Sequence, residues 1–65
     1  MKAGEIVKRL NDEGWELART EGSHRQYTHP DKPGRRVTVY GRNSKDLPIG
    51  TVISIYRQAG WEKDW

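Results

Sequence analysis

The hydrophobic period changes twice along this chain, and each helical stretch ends in the same glycine–tryptophan pair. Ala3, Ile6, Val7 and Leu10 fall at i, i+3, i+4 and i+7, the spacing of one helical face. Gly14 then stops the pattern. It can take a left-handed conformation, and Trp15 can fold back on Leu10 as the apolar closure of a Schellman motif. Ile49, Val52, Ile53, Tyr56 and Ala59 form a second helical stripe, followed by Gly60 and Trp61. Here Trp61 is expected to pack on Tyr56. Trp61 and Trp65 also fit an exposed binding patch. Two helices that end alike point to two helices laid on a common core.

Between the helices the period is two. Trp15, Leu17 and Arg19 alternate with Glu16, Ala18 and Thr20, the pattern of a half-buried strand. Arg25 to His29 reads as a second strand anchored by Tyr27. Two prolines, an aspartate and a glycine within His29 to Gly34 make a turn. Arg36 to Tyr40 reads as a third strand, with Val37 and Val39 on one face, and Gly41 ends it. The expected fold is α+β, in the order α-β-β-β-α. Short turns make the three strands an antiparallel sheet, and both helices must cover one face of it. The other face is left to solvent. This is the element order of double-stranded-RNA-binding domains, although a fold alone does not give a function.

The 65 residues fill one domain, 1–65, and leave no room for a dinucleotide-binding unit plus a substrate domain, or for a TIM barrel. A domain of this size buries only about 60% of its unfolded surface. With no cysteine, disulfides and thiolate metal sites are excluded as staples. Met1 to Arg9 is charged every few residues. It lacks the ~7-residue apolar run of a signal peptide, and nothing approaches the ~18 residues of a membrane span. A cytoplasmic setting without membrane association is the expectation.

Charge is concentrated in the middle of the chain. Arg25, Lys32, Arg35, Arg36, Arg42 and Lys45 stand against Asp31 alone between residues 25 and 45, within a whole-chain charge of +3. A localised basic segment is the footprint of a phosphate-backbone partner. A solvated hairpin can carry the same residues.

His24 follows Gly22-Ser23 at the start of the second strand, and histidine exchanges protons near neutrality. Cutting RNA needs a base for the 2′-hydroxyl, an acid for the leaving oxygen and cations for the phosphorane charge. It needs no metal when the 2′-hydroxyl is the nucleophile. On composition alone, a turn-proximal histidine with no task is the commoner case. Strand alternation places His24, Gln26 and Thr28 opposite to Arg25, Tyr27 and His29, so the two histidines do not form an acid–base pair. No cluster of His, Asp or Glu has metal-ligand spacing. Ser23 and His24 point apart, which discounts a serine hydrolase. Gly22, Gly34 and Gly41 lie in separate turns and make no phosphate loop.

Gly14-Trp15, Arg19, Gly22-Ser23-His24, His29-Pro30 and Val37-Thr38-Val39 occur in that order. Lys45-Asp46-Leu47-Pro48-Ile49-Gly50-Thr51, Ile55 and Gln58-Ala59-Gly60 follow. Over about residues 4–61 the sequence resembles the HicA toxins of bacterial HicA–HicB toxin–antitoxin systems. The resemblance implies a double-stranded-RNA-binding-like fold and ribosome-independent cleavage of mRNA. It places the essential histidine in the Gly-Ser-His element, here His24. It also implies a HicB-type antitoxin that covers this histidine and itself carries the DNA-binding part of the complex. Many members carry a Pro-His pair just after the third strand. Here those positions read Tyr40-Gly41, followed by Arg42-Asn43, so Arg42 would supply charge alone.

The expected site therefore has RNA across the second and third strands, with no cofactor and no metal. His24 is the catalytic group, and Gly22 and Ser23 shape its turn. Arg25, Lys32, Arg35, Arg36, Arg42 and Lys45 bind RNA. Arg25 is expected to bear on the developing charge, although alternation puts it opposite to His24. Two other readings stay open: a module that binds structured RNA without cutting it, and a domain whose basic hairpin docks an acidic protein.

Overall fold

The computed structural model describes residues 1–63, so Trp65 of the alternative tryptophan patch lies outside the described residues. Helix α1 spans Ala3–Asp12. Its first N–H groups have no partner within the helix. The Glu5 carboxylate accepts from the Lys2 backbone N–H at 3.2 Å. The carbonyls of Lys45 and Asn43 accept from Ala3 and Gly4, both at 2.9 Å. The start of α1 is thus tied to the loop that carries Asn43 and Lys45, distant in sequence, and the Lys2–Asp46 ion pair at 3.2 Å reinforces the tie.

Both helix ends are Schellman motifs, as the glycine–tryptophan pairs lead one to expect. At the end of α1, Gly14 takes φ 89. Its N–H bonds to the Asn11 carbonyl at 3.2 Å, and that of Trp15 to Leu10 at 2.9 Å. Helix α2 spans Ile49–Ala59, and Gly60 follows with φ 78. The Gly60 N–H bonds to Arg57 at 3.2 Å and the Trp61 N–H to Tyr56 at 2.8 Å. These bonds satisfy carbonyls that a helix end would otherwise leave open. The Trp61 ring packs edge-on to Tyr56 with centroids 5.1 Å apart.

The strands are β1 (Glu16–Glu21), β2 (His24–Thr28) and β3 (Arg36–Tyr40), paired antiparallel in the order β1-β2-β3. Tyr27 stands opposite Val37 and Arg25 opposite Val39, so these four share the face beneath the helices. Tyr27, Val37 and Val39 join Ala3, Ile6, Leu10 and Trp15 from the first helix and its stop. Leu47, Val52, Ile55, Tyr56 and Ala59 complete this core. Ile6, Leu10, Val37, Val39 and Ile55 are fully buried, each worth about 1.5–3 kcal/mol.

Three expectations are corrected. The first strand is not half-buried: all six residues of β1 are exposed, Leu17 by 53%. The helices pack over β3 and the centre of the sheet, which leaves this edge strand without a cover. The register also shifts between Leu17 and Arg19. This bulge at Ala18 moves Arg19 off the Leu17 side and onto the open face, opposite Gln26. In α2, Ile49 is 60% exposed and Ile53 only half-buried, while Ile55 fills the core. The buried stripe is Val52, Ile55, Tyr56 and Ala59, a cleaner i, i+3, i+4, i+7 set.

The outer edge of β3 is closed by a side chain. The Thr38 backbone N–H donates to the Gln58 Oε1 of α2 at 3.0 Å. Among the described residues no helix is long and apolar enough to cross a membrane.

Candidate nucleic-acid interface

The two residues Gly22 and Ser23 join β1 to β2, with Glu21 paired to His24 across the turn. Gly22 takes φ 59, and among the described residues no non-glycine residue has a positive φ. That is the glycine-first pattern of a type II′ hairpin turn, whose twist suits the strands on either side. A side chain at Gly22 would meet no neighbour, so backbone conformation alone calls for glycine there. The turn delivers His24 to the open face of the sheet at its first position.

His24 stands opposite Tyr40. The next bond outward runs from the Gly41 N–H to the Ser23 carbonyl at 3.1 Å. His24 and Tyr40 are thus a non-hydrogen-bonded pair, the kind in which cross-strand side chains come closest. Their rings lie 5.0 Å apart at 45°. Both residues are exposed, and among the described residues the His24 imidazole hydrogen-bonds to nothing. Along the same face follow the pairs Gln26–Thr38 and Thr28–Arg36. Arg19 and Glu21 of β1 flank them as an ion pair. The result is an open, polar sheet surface with an unengaged imidazole at one end and the Arg36 cation at the other.

The six expected RNA-binding cations do not form one patch. Arg36 is exposed on the open face, and Arg42 is exposed two residues beyond Tyr40. Lys45 is exposed, with its stem over Gly41. Arg25 lies on the helix side of the sheet. Its guanidinium donates to Asn43 Oδ1 at 2.9 Å and to the Gly41 carbonyl at 3.1 Å, pinning the loop that receives α1. Arg35 donates to the Gln58 and Arg57 carbonyls at 3.3 and 3.5 Å, where the end of α2 concentrates partial negative charge. Lys32 is half-buried, with its ammonium 5.5 Å from the Trp15 ring centroid.

His29 is occupied by the fold. Its Nε2 donates to the Glu13 carbonyl at 2.8 Å, and its Nδ1 accepts from the Asp31 N–H at 3.1 Å. These bonds hold the ring in place, edge-on to Trp15 at 5.3 Å. His24 and His29 point to opposite faces, as strand alternation requires.

Glu13 joins the two helix ends. Its carboxylate accepts from Trp61 Nε1 at 2.6 Å and from Arg9 Nε at 3.0 Å. The Arg9 guanidinium also lies 4.1 Å over the Trp61 ring. Partial burial pushes the Glu13 pKa up. The hydrogen bonds from Arg9 and Trp61 and the charges of Arg9 and Lys32 outweigh it and hold the carboxyl below its ordinary value. Among the described residues no three His, Cys, Asp or Glu side chains are grouped to hold a metal ion.

Tyr40, Gln26, Thr28, Thr38 and Arg19 were not among the expected site residues. The first four carry a readable signal, because Val37 and Val39 pointing inward forces Thr38 and Tyr40 outward, and Tyr27 pointing inward does the same for Gln26 and Thr28. Arg19 carries none, because its face is set by the bulge.

Comparison with protein families matches the chain to the family described as HicA toxin of bacterial toxin-antitoxin, over residues 3–61. A search of curated proteins gives no match.

Proposed function

Because the chain belongs to the HicA toxin family, a family of bacterial toxin–antitoxin toxins, we propose that it is an endoribonuclease that cuts mRNA with His24. The observation that carries this reading is the exposed His24 imidazole, free of hydrogen bonds within the described residues, at the head of an open polar sheet face. A histidine held for packing would be engaged, as His29 is.

RNA lies across β2 and β3. Neutral His24 takes the proton of a ribose 2′-hydroxyl, and the 2′-oxygen attacks the adjacent phosphorus. The 5′-oxygen leaves and takes a proton from the imidazolium or from water. The products are a 2′,3′-cyclic phosphate and a 5′-hydroxyl. Arg36 and Arg42 hold the flanking phosphates, with Lys45 beside them. The chemistry calls for no metal and no cofactor. Arg25 and Arg35 serve it indirectly, by fixing the loop after β3 and the end of α2.

Family membership implies an antitoxin partner. We assign to it a HicB-type protein that covers the open face and so shields His24 from RNA. Contact with DNA then falls to the antitoxin, and the setting is the cytoplasm.

The test is end-group analysis of RNA incubated with the protein in excess chelator. The expected products carry 2′,3′-cyclic phosphate and 5′-hydroxyl ends, and a single 2′-deoxy substitution at a cut position blocks that cut. Cleavage that requires a divalent metal, or that leaves 5′-phosphates, contradicts the mechanism. RNA bound but left intact favours the non-catalytic binding module instead.

A further inference from the structure

The chain has three tyrosines, and two of them are core residues: Tyr27 is 3% exposed and Tyr56 4%. Tyr40 is 42% exposed. Its ring has His24 as its neighbour at 5.0 Å, and its hydroxyl has no hydrogen-bond partner among the described residues. A cross-strand aromatic pair stabilises a sheet only modestly. That does not account for a large exposed ring on a face whose other side chains are polar or charged.

We propose that Tyr40 is a stacking site for one unpaired nucleobase, placed so that the stacked nucleotide presents its ribose to His24. The inference rests on the RNA-cleavage reading above and adds the substrate class: single-stranded rather than duplex RNA. Three features support it. The close pairing of Tyr40 and His24 puts a π-surface and a proton acceptor within one nucleotide of each other. Bases in a duplex are stacked on one another and offer no free face, whereas splayed bases of single strands stack on exposed aromatic rings. Of the remaining side chains of the face, Gln26, Thr28 and Thr38 are hydrogen-bonding groups that suit base edges and 2′-hydroxyls, Arg36 at the far end meets a phosphate, and Arg19 and Glu21 flank them as an ion pair. Stacking uses the ring and not the hydroxyl, so phenylalanine replaces tyrosine without loss.

The experiment measures binding separately from cleavage. The probe is an unstructured, fluorescein-labelled 2′-O-methyl oligoribonucleotide, which lacks the nucleophile and cannot be cut. A second probe has the same backbone without bases, and a third is closed into a duplex. Affinity is read by fluorescence anisotropy for the parent, Tyr40→Phe and Tyr40→Ala, with folding matched by circular dichroism. Tyr40→Ala should weaken binding to the single strand on the order of tenfold. Tyr40→Phe should stay within about twofold, since the ring that stacks is kept. The advantage of the base-containing strand over the baseless one should shrink in Tyr40→Ala alone, a change that a merely structural role of Tyr40 does not produce. The duplex should bind more weakly, with no dependence on residue 40.

Equal affinity of the parent and Tyr40→Ala for the single strand overturns the stacking site. So does a Tyr40→Phe variant as impaired as Tyr40→Ala, which would assign the role to the hydroxyl. If the parent cleaves RNA while either result holds, only this inference falls. If the parent neither binds nor cleaves RNA, the cleavage reading falls and takes this inference with it.

Discussion

Arg35 and Arg36 are neighbours in sequence and opposites in use. Arg36 projects from the open face, opposite Thr28, into solvent. Arg35 turns back to the last carbonyls of α2. Arg36→Ala should leave the melting temperature nearly unchanged. It should also reduce the salt dependence of RNA affinity by about one phosphate contact, a slope change of roughly 0.7 for a single strand. Arg35→Ala should lower stability by about 0.3–1 kcal/mol, the worth of a cation at a helix C-terminus, with the salt slope intact. Titrating affinity against salt, with thermal melts alongside, checks both. Equal salt slopes for the two variants would contradict this division of roles. The direction of each arginine is not legible in the sequence. A run of basic residues shows that charge is concentrated, but a long side chain at a strand end reaches either face, and only the tertiary position of α2 decides for Arg35. His24 is legible because a two-residue turn and strand alternation are both local.

At the scale of elements, the helix stops are the most legible part of the chain. Gly14-Trp15 and Gly60-Trp61 act within one turn of helix, so the sequence nearby contains the whole cause. The cover over the sheet is not local. Nothing near Leu17 reveals that the helices leave β1 exposed, and the bulge at Ala18 defeats an alternation count from Trp15. The choice of Ile55 over Ile49 and Ile53 likewise depends on the angle at which α2 lies. The two stops also meet, through Glu13, and this gives a pH dependence. The Glu13 pKa is lowered in the folded state by Arg9 and Trp61 against the opposing effect of its partial burial. Its stabilisation is therefore present above the unfolded glutamate value of about 4.3 and is lost as pH falls through the lower folded value. The Glu13 side chain is 37% exposed, so solvent and salt screen the interaction to no more than about 1 kcal/mol. The melting temperature of the parent should fall more steeply between about pH 5 and pH 3 than that of Glu13→Gln. Parallel curves would contradict a stabilising Glu13.

At the scale of the whole molecule, the two faces of the sheet divide the work. One face holds the core and, at its margins, the side chains that pin loops and helix ends: Arg25, Arg35, His29 and Glu13. The other has no cover and carries His24, Tyr40 and Arg36. Substitutions on the open face should therefore separate function from folding, which is unusual in a domain with so little interior. The most direct test of the account uses that separation. RNA cleavage in chelator is compared between the parent and His24→Ala, with matched circular dichroism spectra and melting temperatures. Removing a general acid–base group typically costs 10²–10⁴-fold, so the variant should lose at least about 100-fold in rate while remaining folded. Equal cleavage by the two proteins would contradict the assignment of the chemistry to His24.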